Sequence, residues 1–191
     1  MIGLLLSKIN FILKFYFLKI RKFQISKTSF VQFWKFRFNN FKNANVIIGE
    51  SSYVDSNIVF EKDFGVFEVG ENSFIGGATF SIAESILIGD NVQIAWGTLF
   101  FDHNSHSLDY KVRSRDLENR FNNIKEWDNI GVNKIIIQDD VWIGANSIIL
   151  KGVILKQGTV IAAGSVVTKN TEPFSLYGGN PAKFIKKLQN D

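Results

Sequence analysis

The chain has 191 residues, of which 46% are hydrophobic, enough for one domain with a sizeable core. It contains no cysteine, which excludes a disulfide framework, a thiolate metal site and a cysteine nucleophile. Its net charge of +4 combines a basic start with a mildly acidic remainder. Residues 1–45 hold nine Lys or Arg, from Lys8 to Lys42, and no acid. If residues 2–20 are helical, Ser7, Lys8, Asn10, Lys14 and Lys19 occupy one half of the circumference and apolar residues cover most of the rest. The lysines argue against a spanning helix, which wants about 20 nearly uncharged apolar residues. The arm therefore reads either as a cap over the apolar end of the fold or as a membrane-surface contact through residues 1–22. No nucleic-acid-reading motif accompanies it, and no nucleic-acid partner is expected. Without a cleavable signal the expected location is cytoplasmic, free or peripheral to the inner face of the membrane.

From residue 46 the pattern changes. Ile48-Gly49 and Val54-Asp55, then Val69-Gly70 and Ile75-Gly76, then Ile88-Gly89, Ile94-Ala95 and Phe100 begin a six-residue recurrence. After an interruption, Ile137, Ile143, Ile149, Leu155, Ile161 and Val167 continue it without a slip. The fifth position of each hexad is small or β-branched: Val141, Ser147, Val153, Thr159, Ser165. Six is neither the helical period of about 3.6 nor the strand alternation of 2. It fits a chain that turns a corner every six residues. Three sides close a coil of roughly 18 residues that stacks Ile137 over Leu155, Ile143 over Ile161 and Ile149 over Val167. A sandwich of short strands also has regular turns, but would not hold six hexads in phase. The expected fold is all-β, a parallel β-helix of about five coils over 46–170, followed by a C-terminal tail with a short helix over 171–191.

The interruption spans 102–134 and holds both histidines, His103 and His106. Insertions in repeat folds map to loops on one face, often the binding face. Imidazole can accept and return a proton near neutral pH, which makes both residues candidates for a general base. Either could instead be a turn residue bonded to backbone. Asp102, His103, His106 and Asp109 could also be metal ligands, but a catalytic zinc site usually wants three strong ligands, and no metal is expected.

The hexads, the Asp102-His103-Asn104-Ser105-His106-Ser107-Leu108-Asp109 loop, Val141-Trp142-Ile143-Gly144-Ala145, Ala162 to Lys169 and Gly179-Asn180-Pro181-Ala182-Lys183 together resemble hexapeptide-repeat acyltransferases. The nearest branch looks like the maltose, galactoside and nodulation acetyltransferases and the sugar O-acetyltransferases of capsule and O-antigen clusters. The resemblance implies a left-handed β-helix, a homotrimer with active sites between subunits, and acetyl-CoA as donor. The catalytic histidine of that family lies in a His-Pro-Leu-Asp-like segment, which His106 to Asp109 matches best, with Ser107 in place of proline. His103 is the reserve. Asp102 or Asp109 would hold the histidine tautomer, and a covalent route through Ser105 or Ser107 ranks below direct transfer.

Carried across the same motifs, Ala145, Ala163, Thr168 and Lys169 look like pantetheine and nucleotide contacts, Lys183 and Lys186 like phosphate contacts, and Trp142 like a residue near the reacting centre. The alternative roles are corner packing for the alanines and surface stacking for Trp142. Glu84 and Trp127 are candidates for acceptor binding, alongside Arg113, Arg115, Asp116, Glu118, Arg120, Glu126 and Asp128 in the insert. The expected activity is acetyl-CoA-dependent O-acetylation of a sugar or oligosaccharide, free or lipid-linked, in surface polysaccharide assembly. Alternatives are N-acetylation of an amino sugar, a carbonic-anhydrase-like metalloenzyme and a non-catalytic trimeric scaffold.

Overall fold

A computed structural model describes residues 23–38, 43–122 and 124–188. The helical reading of 2–20 lies outside the described residues. The repeat begins earlier than residue 46, because a first coil is already formed by β1 (Phe23–Ile25), β2 (Phe30–Val31) and β3 (Phe36–Phe38). The second is built by β4 (Asn45–Ile48) and the long β5 (Tyr53–Phe60), the third by β6 (Val66–Val69) and β7 (Phe74–Ile82). β5 and β7 each run past a corner and cover two sides. The fourth coil comprises β8 (Ser85–Ile88), β9 (Gln93–Ile94) and β10 (Leu99–Phe101). The insert follows, with α1 (Tyr110–Arg113) and α2 (Asp116–Phe121). Coils five and six are β11 (Ile135–Ile137), β12 (Trp142–Ile143) and β13 (Ile148–Leu150), then β14 (Ile154–Leu155), β15 (Val160–Ile161) and β16 (Val166–Val167). β17 (Ser175–Gly178) starts a seventh turn and β18 (Lys183–Lys187) returns antiparallel along it.

Every pairing between coils is parallel, and the three sides of the left-handed β-helix follow from it. Side one stacks β1, β4, β6, β8, β11 and β14; side two runs β2, β5, β7, β9, β12, β15 and β17; side three contains β3, β10, β13, β16 and the second halves of β5 and β7. Five coils fall within 46–170 as the period predicts, and the further turns lie outside that range. The upstream period was blurred by longer coils. Val46 pairs with Phe67 and Phe67 with Ile86, steps of 21 and 19, against 18 from Ile136 to Ile154. Part of the surplus is one extra residue in β7, where Gly76 to Thr79 runs opposite Asp55 to Asn57 of β5.

The hexad residues form the apolar axis in the expected register. Ile88, Ile137 and Leu155 are cross-strand neighbours, as are Ile94, Ile143 and Ile161, and Phe100, Ile149 and Val167. Most are fully buried, and each such side chain contributes about 1.5–3 kcal/mol relative to exposure. The small fifth position has a second reason. The hydroxyls of Thr98, Ser147 and Ser165 donate to the carbonyls three residues back, at Ala95, Gly144 and Ala162 (2.8, 2.8 and 2.5 Å), satisfying corner carbonyls away from water. At Gly144 a Cβ would come within 2.6 Å of the Ala163 backbone nitrogen, so only glycine fits that corner.

The expected C-terminal helix is not formed. Residues 183–187 are strand β18, because the last parallel rung would otherwise leave its edge unpaired. The Phe184 ring packs edge-on against Tyr177 with centroids 5.8 Å apart. The helices sit instead in the insert. Among the described residues no helix is long and apolar enough to cross a membrane.

Candidate active site

The insert leaves the prism at the corner between sides three and one, immediately after β10. Its first residue, Asp102, is fully buried, and its two carboxylate oxygens accept the backbone N–H groups of Ala83 and Glu84, each at 2.7 Å. Burial pushes its pKa up to about 6, opposed by those backbone bonds. The Asp102 carbonyl accepts from Asn133 at 2.8 Å, so this residue also joins the exit of the loop to its return. Asp102 is an anchor of the corner and does not touch His106.

His103 is only 6% exposed. Its Nδ1 accepts the Ser105 N–H at 2.9 Å, its Nε2 lies 3.0 Å from Ser81 Oγ, and Trp127 packs edge-on against the ring at 5.4 Å. Burial holds its pKa below the usual imidazole range, with Glu61 acting in the opposite direction. This is the turn histidine bonded to backbone, with no free nitrogen to offer an acceptor. Asn104 donates to Gly131 at 3.0 Å and closes the neck of the insert.

His106 has the other character. Its ring is 55% exposed, and its Nδ1 is hydrogen-bonded to the carboxylate of Asp116 at the start of α2. A carboxylate accepts, so in the neutral ring Nδ1 carries the proton and Nε2 presents the lone pair. Among the described residues nothing hydrogen-bonds to Nε2. The bond from His106 holds the Asp116 carboxyl below the usual carboxylate range. Asp116 is the partner that the sequence reading assigned instead to Asp102 or Asp109. Asp109 caps α1 by accepting the Lys111 N–H at 2.9 Å. Ser107 is buried, with Oγ taken up by the Asp109 N–H at 3.1 Å, a poor place for a nucleophile. Nothing in the spacing marks Asp116, since the ten residues that separate it from His106 close only when the insert folds.

Trp127 is flanked by Lys62 and Lys125, 5.2 and 5.5 Å from the ring centroid, and one of its edges is used by His103. Exposed Glu84 lines an open cavity of about 510 Å³ with Asn45, Lys62, Phe64 and Val132, at the root of the insert.

The residues expected to meet the donor divide between two edges. Ala145 and Ala163 sit at the corner between sides two and three of successive coils, where Gly164 N–H donates to the Ala145 carbonyl at 2.9 Å. The chain returns past this corner after β17, with Val166 N–H donating to Gly179 at 2.9 Å and Ala182 N–H to Val166 at 2.8 Å, and β18 carries Lys183 and Lys186 in exposed positions. Trp142, 54% exposed, lies on the outer surface of side two. Thr168 and Lys169 follow β16 and therefore share the edge from which the insert leaves. His106 and Ala163 stand on different edges of one prism. Among the described residues no cluster of three or more His, Asp or Glu is placed to hold a metal ion.

Comparison with known proteins matches residues 134–169 to the bacterial transferase hexapeptide family and residues 68–98 to the hexapeptide repeat of succinyl-transferase. A Schizosaccharomyces pombe protein whose name places it provisionally among the acetyltransferases is 37% identical over 71% of this chain and 55% of its own length. This chain thus spans about half the length of that relative. Among solved structures, a hexapeptide-repeat acetyltransferase of Vibrio cholerae complexed with acetyl coenzyme A is 27% identical, with a TM-score of 0.52 over 88% of this chain and 69% of the other. The polySia-specific acetyltransferase NeuO is 25% identical, with a TM-score of 0.61 over 87% and 73%.

Proposed function

We propose that the chain is one of the hexapeptide-repeat transferases that it resembles, an acetyl-CoA-dependent acetyltransferase acting on a sugar hydroxyl in surface polysaccharide assembly. One observation carries this reading: His106 Nδ1 is bonded to the Asp116 carboxylate, and among the described residues nothing hydrogen-bonds to its exposed Nε2. A similar protein complexed with acetyl coenzyme A supports the donor, and a similar polySia-specific acetyltransferase supports a saccharide acceptor.

His106 Nε2 takes the proton of the acceptor hydroxyl as its oxygen attacks the thioester carbonyl. The imidazolium so formed is stabilised by Asp116 and returns the proton to the departing sulfur. The tetrahedral oxyanion is met by backbone N–H groups at a corner of the coil. For the donor, Ala145, Ala163 and Gly164 permit close approach of a pantetheine arm, Trp142, Thr168 and Lys169 border it, and Lys183 and Lys186 meet its phosphates. Ala145, Ala163 and Gly164 lie on a different edge from His106, while Thr168 and Lys169 lie on the same one, so a complete site draws on two copies of the chain, and the assembly is a homotrimer. Trp127 and Glu84 contact the acceptor at the root of the insert. A membrane-surface contact through residues 1–22, which lie outside the described residues, is tested by liposome flotation with and without them.

The test is turnover of acetyl-CoA against nucleotide sugars, lipid-linked sugars and oligosaccharides, with mass spectrometry of the products. The wild type acetylates a hydroxyl of at least one of them, and His106→Ala loses about 10²-fold or more. Equal turnover by His106→Ala refutes the assignment.

A further inference from the structure

The second histidine is fully engaged, and its engagement has a direction. The Ser105 backbone N–H can only donate, so Nδ1 of His103 must offer its lone pair, and the neutral ring then carries its proton on Nε2. That proton goes to Ser81 Oγ at 3.0 Å, which leaves the Ser81 hydroxyl proton for Glu61 Oε1 at 3.1 Å. The relay therefore runs from Glu61 at the end of β5, through Ser81 in β7, to His103 at the entry of the insert. Three successive coils thereby set one tautomer of one ring.

What the ring holds is the turn immediately before the proposed base. Ser105 has φ +63°, the left-handed region that side chains other than glycine seldom adopt. The peptide preceding Ser105 is fixed by His103 Nδ1, and the peptide following it is fixed by Lys125, whose Nζ donates to the Ser105 carbonyl at 2.5 Å. His106 comes next, with its own N–H bonded to the Asn104 carbonyl at 2.7 Å. If Nδ1 of His103 carried a proton, two donors would face each other and the turn would lose its acceptor.

We propose that His103 is a positioning residue: the Glu61–Ser81 relay fixes it as the Nε2–H tautomer, and its Nδ1 holds the left-handed Ser105 turn that aims His106 at Asp116. This rests on the general-base reading of His106, but its central readout does not need turnover. Imidazole ¹⁵N–¹H correlation spectra at neutral pH should show His103 as the Nε2–H tautomer and a low-field Nδ1 proton on His106 bonded to Asp116.

The two isosteric replacements separate the roles of the two nitrogens. His103→Asn places an amide oxygen where Nδ1 was and should retain the low-field His106 proton and kcat. His103→Gln reaches Ser81 but offers no acceptor to Ser105. It should lose the His106 signal, with kcat lower by roughly 10- to 10²-fold and KM for acetyl-CoA unchanged. A His103 found as the Nδ1–H tautomer, or a His103→Gln that keeps both the signal and kcat, overturns the proposal. If the spectra behave as expected while the wild type transfers no acetyl group, the positioning stands and the reaction assigned to the site falls. Circular dichroism of both variants confirms that the coil remains folded.

Discussion

Replacing Asp116 by Asn tests the proposed dyad with the smallest change in shape. The substitution removes the charge that stabilises an imidazolium and offers His106 either an amide oxygen, which preserves the tautomer, or an amide N–H, which reverses it. The size of the loss follows from where the pair sits. In a buried, water-excluded dyad a carboxylate-to-amide change locks the wrong tautomer and lowers kcat by about 10⁴. Here the His106 ring is 55% exposed and the Asp116 side chain 24% exposed, so water can replace part of the lost interaction and the amide is free to turn over. The expected fall in kcat is therefore roughly 10- to 10²-fold, with KM for acetyl-CoA unchanged, since Asp116 is assigned no role in holding the donor. Steady-state kinetics under saturating donor measure it, and the double variant with His106→Ala should be no slower than His106→Ala alone, because the carboxylate acts only through the ring. A full additional loss in the double variant, or an unchanged kcat in Asp116→Asn, would refute the dyad.

Three further outcomes are expected. In Phe100→Ala, removal of a fully buried ring stacked 4.5 Å from Phe80 should cost about 3–5 kcal/mol. At about 2–4 °C per kcal/mol for a chain of this size, thermal melts should shift by roughly 6–20 °C. For Asp102, a folded-state pKa near 6 against an ordinary 3.8 means that the folded state binds the proton more tightly. Its contribution is thus greatest at low pH and is lost as pH rises through 6, by about 3 kcal/mol at most. Urea unfolding at pH 4 and pH 7.5 should show wild type losing stability relative to Asp102→Asn over that interval, and a difference independent of pH would contradict it. Finally, co-expressed His106→Ala and Ala163→Trp chains should regain about one quarter of wild-type turnover if each site draws its base and its donor surface from different copies of a trimer. No recovery on mixing would favour a site within one chain.

The fold was legible because its cause is periodic. A coil that places one apolar side chain inward per side writes Ile137 to Val167 at fixed spacing, and Gly144 and Ser147 follow from the crowding and the unpaired carbonyls of the corner. The first coil, residues 23–38, was hidden because its turns are longer than 18 residues and its inward positions do not recur evenly. The C-terminal strand was missed for a different reason. Lys183 to Lys187 carries no alternation of buried and exposed positions, and only the unpaired edge of β17 makes it a strand.

The chemistry was half legible. Interruption of the period located the insert, and residue type limited the candidates for a base to His103 or His106. Choosing between them from geometry needed the fold, since what separates the two rings is burial and partners: one sits against Ser81 and Trp127, and the other lies open beside Asp116. The sequence alone determined the coil, its axis and the place where it is broken, because these follow from side-chain volume and polarity repeated along the chain. Only the tertiary structure decided which carboxylate bonds to which histidine, and that His106 and the Ala145–Ala163 corner stand on different edges. Hydrogen bonds across 10 or 22 residues, such as those of His106 and His103, depend on where corners bring the chain back, and no local spacing encodes that.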